Sequence, residues 1–145
     1  MSMNSKPLRP STDTAHSVSL VLLDGDYSVC RFEPKTQIPP LSGPSEIYSL
    51  TTTHLETSLV CSTAAVPAGG RTESGWRVLY VEGPISFDLT GVVAGITSAV
   101  AAAGLPVFVL STFDSDLLLL RGESLDKAIA ALNSSGYSVT TPATT

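Results

Sequence analysis

The chain predicts an α+β fold, and three observations carry that expectation. Short runs rich in Val, Ile, Thr and Tyr recur along it, separated by Gly, Pro and Asp turn signals. Two segments in the second half place apolar residues at helical spacing between a capping residue and a glycine. There, strands and helices alternate as βαββαβ. That order is the ferredoxin-like unit, in which two helices cover one face of an antiparallel sheet.

Taken in order, residues 16–23 and 27–32 read as two short strands around Asp24-Gly25-Asp26, where Asp-Gly is a strong hairpin signal. Residues 33–45 carry four prolines and form a loop. Residues 46–52 and 57–62 make a second strand pair joined by Thr53-His54-Leu55-Glu56. The stretch 63–75, with Pro67 and Gly69-Gly70, reads as a seam. Residues 76–82 form a strand closed by Gly83-Pro84, and Asp88 is placed to cap a helix over 89–103 that stops at Gly104. Strands over 107–112 and 116–121 flank an acidic turn. Ser124 then caps a helix whose apolar face is Leu125, Ala128, Ile129 and Leu132, with Lys127 on its polar face. Gly136 ends it, and 137–140 is the last strand.

Composition excludes several functions. The 145 residues are 43% hydrophobic and 14% charged, enough for a real core, and the net charge is -5 with no Lys/Arg cluster. A nucleic-acid or anionic-membrane footprint is therefore missing. The start, MSMNSKPLRPSTDTAHS, has no apolar core of a signal peptide and reads as a disordered arm. The longest apolar stretch, 89–105, is broken by Gly, Thr and Ser and is short for a membrane span. A cytoplasmic location follows by default. Cys30 and Cys61 each sit inside an apolar run and read as buried thiols rather than as a disulfide, ligands or nucleophiles. No dinucleotide, phosphate-loop or metal spacing is present, so no cofactor, metal or catalytic residue is assigned.

Two features ask for a function. In STFDSDLLLL, Asp114 and Asp116 flank a serine in front of four leucines. They either solvate a turn or present a carboxylate to a ligand beside an apolar wall. Gly91 and Gly95 lie one turn apart at the start of the first helix. They either let the helix pack closely or, at Gly91, leave backbone N–H groups open to an anion.

The run FDLTGVVAGITSAVAAAGLPVFVLSTFDSDLLLL, Phe87 to Leu120, resembles an ACT domain, the small-molecule sensor module of amino-acid metabolism. Within that family it is similar to the subtype of the CASTOR-type arginine sensors and their short stand-alone relatives. YSVCRF, EIYSLT and GWRVLYVEGP extend the resemblance from His16 to Val139. The resemblance implies an arm over 1–15, a truncated ACT-like half over 16–66, a linker loop over 67–75, a complete ACT domain over 76–141 and a tail over 142–145.

The resemblance also implies a ligand between ACT units, at the start of the first helix and the strand turn that follows. The matching positions are Gly91, Val92, Thr112, Phe113 and Asp116. An amino acid's carboxylate suits the helix N–H groups, and its ammonium suits Asp116, with Asp114 left to solvate the turn. Arginine sensors carry an acid just after the helix-cap aspartate, where this chain has Leu89, so a small or apolar amino acid fits better. The expected function is a regulatory amino-acid binder acting on a biosynthetic enzyme, as a homodimer because sheet edges are left open. Two other classes compete: a small lyase or isomerase that needs Asp116, His54 and Cys61 to meet, and an interaction module with an empty site.

Overall fold

The computed structural model describes residues 18–82 and 91–142. The expected arm, the Gly83-Pro84 turn, the Asp88 cap, Leu89 and residues 143–145 lie outside the described residues. The order is β1 (Ser19–Leu22), β2 (Tyr27–Phe32), β3 (Tyr48–Thr52), β4 (Thr57–Ser62), β5 (Arg71–Val81), α1 (Val92–Ala102), β6 (Phe108–Ser111), β7 (Asp116–Arg121), α2 (Leu125–Ser134) and β8 (Ser138–Thr140). The α+β, ferredoxin-like expectation holds: from β5 onward the elements run βαββαβ.

All eight strands join one sheet. Its organiser is β5, the longest strand. Leu79 and Tyr80 pair with both β1 and β7, and Trp76 pairs with both β2 and β7. β1 and β2 must therefore share one edge of β5, with β7 on the other. This overturns the hairpin expected at Asp24-Gly25-Asp26. β1 and β2 do not pair with each other but lie end to end, Leu22 opposite Leu79 and Tyr27 opposite Trp76. The long β5 offers both of them backbone partners at once, which outweighs the local turn preference. Arg77 holds the joint by donating to the Leu23 carbonyl at 3.3 Å, and the Leu23 N–H donates to the Val78 carbonyl at 3.0 Å.

A second correction concerns the seam. The strand expected from Trp76 begins at Arg71, because β2 satisfies the backbone groups of this polar stretch. Between Tyr27 and Val29 the register shifts, so that Trp76 and Glu73 oppose them and β5 carries an extra residue. Gly75, at φ +87°, supplies the left-handed conformation such a bulge uses. The last strand, β8, does not pair with β5. β1 stands between them, antiparallel to β5 and parallel to β8.

One face of the sheet buries Leu20, Leu22, Leu79, Val81, Leu118 and Leu120 against Val92, Ile96, Val100 of α1 and Leu125, Ala128, Leu132 of α2. At the other end, Cys30, Phe32, Leu59 and Cys61 pack with Ile38, Leu41 and Val66. Both thiols are free and buried, as expected. Burial, then the neighbouring Cys30, pushes the Cys61 thiol up to about 11. The opposite face gathers Tyr27, Ile47, Val60, Val78, Leu117 and Leu119, flanked by Trp76, Tyr80 and Phe108. No helix among the described residues is long and apolar enough to cross a membrane.

Because Leu20 is fully buried on the strand that links β5 to β8, Leu20→Ala should lower stability by about 2–5 kcal/mol. Chemical denaturation followed by circular dichroism measures it. A loss within the range of a surface substitution would mean that β1 is not a core strand.

Candidate ligand-binding site

The expected site residues fall into two groups, Gly91 and Val92 at the start of α1, and Thr112, Phe113 and Asp116 around the turn that leads into β7. Gly91 is the N-cap of α1 at φ 85°, a left-handed conformation that a side chain would strain. The helix therefore starts at Val92, later than the 89–103 expectation. No side chain caps it and its first turn holds no acidic residue, so its leading N–H groups have no side-chain acceptor among the described residues. Val92 itself points inward, buried in the helix-facing core.

Gly95 answers to a different need. A Cβ there would stand 2.3 Å from the Tyr137 hydroxyl, so this glycine makes room for the tyrosine that precedes β8. Close packing is thus the reading that holds for Gly95, while Gly91 is required by its backbone angle.

The second group is the turn between β6 and β7. Thr112 closes it: its N–H donates to the Ser115 carbonyl at 2.7 Å, and its hydroxyl accepts the Ser115 N–H at 3.1 Å. Phe113 is 79% exposed at the tip, and Asp114 beside it is exposed too. Asp116 is half-buried and its carboxylate accepts a hydrogen bond from the Ser111 hydroxyl at 2.5 Å. Strand alternation aims Asp116 to the same face as Leu118 and Leu120, which is the helix side.

Thr112 opens the other way. It lines a hollow of about 340 Å³ with Leu23, Glu46, Ile47, Tyr80 and Leu117, on the face away from the helices. The structure thus sets Asp116 with the α1 side and Thr112 on the opposite side. Segment 83–90, which connects β5 to α1, lies outside the described residues.

Sequence reasoning missed Ser115. Its side chain is 4% exposed and its hydroxyl donates to the Val81 carbonyl in a short hydrogen bond. That bond ties the turn to the end of β5. A serine between two aspartates reads as a solvated turn residue, and nothing local betrays an anchor, because the acceptor is a backbone atom from a distant strand. Glu46 was also missed as a lining residue. It is exposed, and its charge, after burial, helps push the Tyr27 phenol above its ordinary value.

Asp116, His54 and Cys61 do not meet. His54 is exposed on the β3–β4 turn, Cys61 is fully buried near the far end of β4, and Asp116 begins β7 across β5 from that layer. The acid-base trio needed by the enzyme reading is not assembled. Among the described residues no group of His, Cys, Asp and Glu could hold a metal ion.

Comparison with known proteins agrees with this architecture. A model of the ACT domain matches residues 71–134, beginning where β5 begins, and a model of an N-terminal domain matches 25–69. Protein Atu0741 from Agobacterium tumefaciens is 33% identical over 88% of this chain and 95% of its own, with a TM-score of 0.80. The chain belongs to the ACT-domain family. Two further structures share the fold of this ACT protein at low identity. VC0802 from Vibrio cholerae, of unknown function and described as a possible transport protein, is 18% identical over 86% of this chain and 94% of its own, with a TM-score of 0.67. The regulatory subunit of aspartate kinase from Thermus thermophilus, in a ligand-free form, is 11% identical over 81% of this chain and 97% of its own, with a TM-score of 0.55.

The Ser115 anchor of the ACT domain is testable. Ser115→Ala leaves the Val81 carbonyl without this donor and should cost about 1–3 kcal/mol in thermal or chemical denaturation. A change below about 0.5 kcal/mol would mean that water replaces the hydroxyl without loss.

Proposed function

We propose that this ACT protein is a regulatory binder of a small or apolar amino acid, working on a metabolic enzyme in the cytoplasm, where free amino acids and their biosynthetic enzymes occur. What carries the reading is the pairing of opposite charges. The uncapped N-terminus of α1 at Gly91 and Val92 offers N–H groups and a partial positive charge to a carboxylate. The Asp116 carboxylate, held by Ser111 on the helix side of the sheet, offers an acceptor to an ammonium. An α-amino acid carries both partners on one carbon. Thr112 and Phe113 complete the site by shaping the turn, with Phe113 as an apolar flap at its tip. The aspartate kinase regulatory subunit of similar fold makes an enzyme of amino-acid synthesis a reasonable class of partner. Binding regulates only if the ligand has different affinity for two states or assemblies of that partner.

Assembly as a homodimer is part of the proposal. Among the described residues, β3, β6 and β8 each pair with a strand on one side only. The β6 edge, FVLS, carries no charge to discourage pairing with a second copy. Light scattering should give the mass of two chains; a single-chain mass at working concentration would remove the dimer from the proposal.

Calorimetry against the free amino acids, with Asp116→Asn and Asp114→Asn, tests the site. The ligand that binds should lose about 1.5–3 kcal/mol of affinity with Asp116→Asn, the range for a hydrogen bond to a charged group. Asp114→Asn, exposed on the same turn, should leave binding unchanged. Equal losses at the two positions would show general turn electrostatics instead of a contact. Absence of any amino-acid binding would favour an interaction module with an empty site.

A further inference from the structure

The face of the sheet away from the helices carries a group of charges that the site above does not use. The bulge at Gly75 sets Arg71 and Glu73 on the same face as Trp76, and the register places Arg71 directly opposite Arg31 and Glu73 opposite Val29. A hollow of about 420 Å³ opens over them, with Glu56, Ser58 and Phe108 also on its wall. Its volume lies within the range of small-molecule pockets.

Like charges directly opposite on neighbouring strands repel, so their compensation matters. Arg31 is compensated: its guanidinium meets Glu33 at 3.1 Å and Glu56 at 3.9 Å, and it donates to the Leu55 carbonyl at 3.3 Å. Glu73 is engaged by Arg121 at 3.9 Å. The Arg71 side chain makes no hydrogen bond or ion pair among the described residues. The groove therefore holds a guanidinium with its fork of donors unused, next to a second guanidinium and beside the apolar side chains of Val29 and Phe108.

We propose that this hollow is a second small-molecule site, independent of the amino-acid site above, and that it takes a small organic carboxylate bearing an apolar group. Arg71 receives the carboxylate in a bidentate pair, a geometry the planar guanidinium matches and an ammonium does not. Arg31 adds a second positive charge from the facing strand. Val29 and Phe108 cover the apolar part, and removing that surface from water adds to the binding. Glu56 and Glu73 on the wall repel an anion of higher charge, so inorganic phosphate is a poor fit.

Trp76 reports on this site. It is the only tryptophan in the chain, and its ring centroid lies 6.3 Å from that of Phe108, which lines the hollow. Titrating the full chain with phenylpropanoate should give a saturable change in Trp76 emission, with acetate and inorganic phosphate far weaker. Arg71→Gln should weaken phenylpropanoate by about tenfold or more, and Arg71→Lys by less, because it keeps the charge and loses the fork. Arg71 is exposed, so both variants keep the core intact. Asp116→Asn should leave this binding unchanged, which separates the two sites. No saturable response at millimolar phenylpropanoate would overturn the proposal. So would equal affinity in Arg71→Gln, phosphate binding as tightly as phenylpropanoate, or a loss caused by Asp116→Asn in place of Arg71→Gln.

Discussion

The double pairing of β5 is the constraint on which the rest of the molecule depends. A strand's backbone offers hydrogen-bonding groups on two edges, and buried groups must be satisfied. On one edge β5 takes β2 and then β1 end to end; on the other it takes β7. The two halves of the chain are joined through this strand and through the β1–β8 pair, so each completes the other's hydrogen bonding. The position of β8 follows. It is held by β1, a strand from the start of the described chain, and not by the strand its own βαββαβ unit would supply.

The bulge in β5 has the second-largest consequence. Side chains alternate along a strand, so one extra residue exchanges the faces of everything beyond it. Past Gly75 the exchange leaves Thr72 and Ser74 toward Cys30 and Ser28, to which their hydroxyls hydrogen-bond at 3.6 Å and 3.0 Å. Arg71 and Glu73 turn to the other side, beside Trp76. A continuous register would have put these charges under the apolar layer of Ile38, Leu41 and Val66, where ionised side chains are costly. The bulge thus keeps that layer apolar and concentrates charge around an open groove.

At the end of the sheet the turn before β7 is held from two directions. Thr112 and Ser115 close it locally, and Ser115 fastens it to Val81. Asp116 is thereby presented at a defined place by a short, well-bonded turn, next to the strand that leads toward α1. Phe113 is exposed at the tip of this turn.

By itself the sequence determined what is local. β2, β4 and β7 have the expected bounds, because alternation and β-branched content report directly on a strand. Both helices end at the expected glycines, Gly104 and Gly136, and the residues that resemble an ACT domain were readable as a contiguous run. The tertiary structure alone decided what depends on distant partners. Asp24-Gly25-Asp26 has the chemistry of a hairpin, yet β1 and β2 both bind β5, because pairing energy comes from the partner strand and not from the turn. Residues 71–75 have loop composition and still form a strand for the same reason. Ser115 anchors to a carbonyl on β5, Gly95 yields space to Tyr137, and Arg71 faces Arg31 across a bulge whose register no local pattern encodes. Each of these is a relation between positions far apart in the chain, and only folding brings such positions within the few ångströms over which hydrogen bonds, packing and charge act.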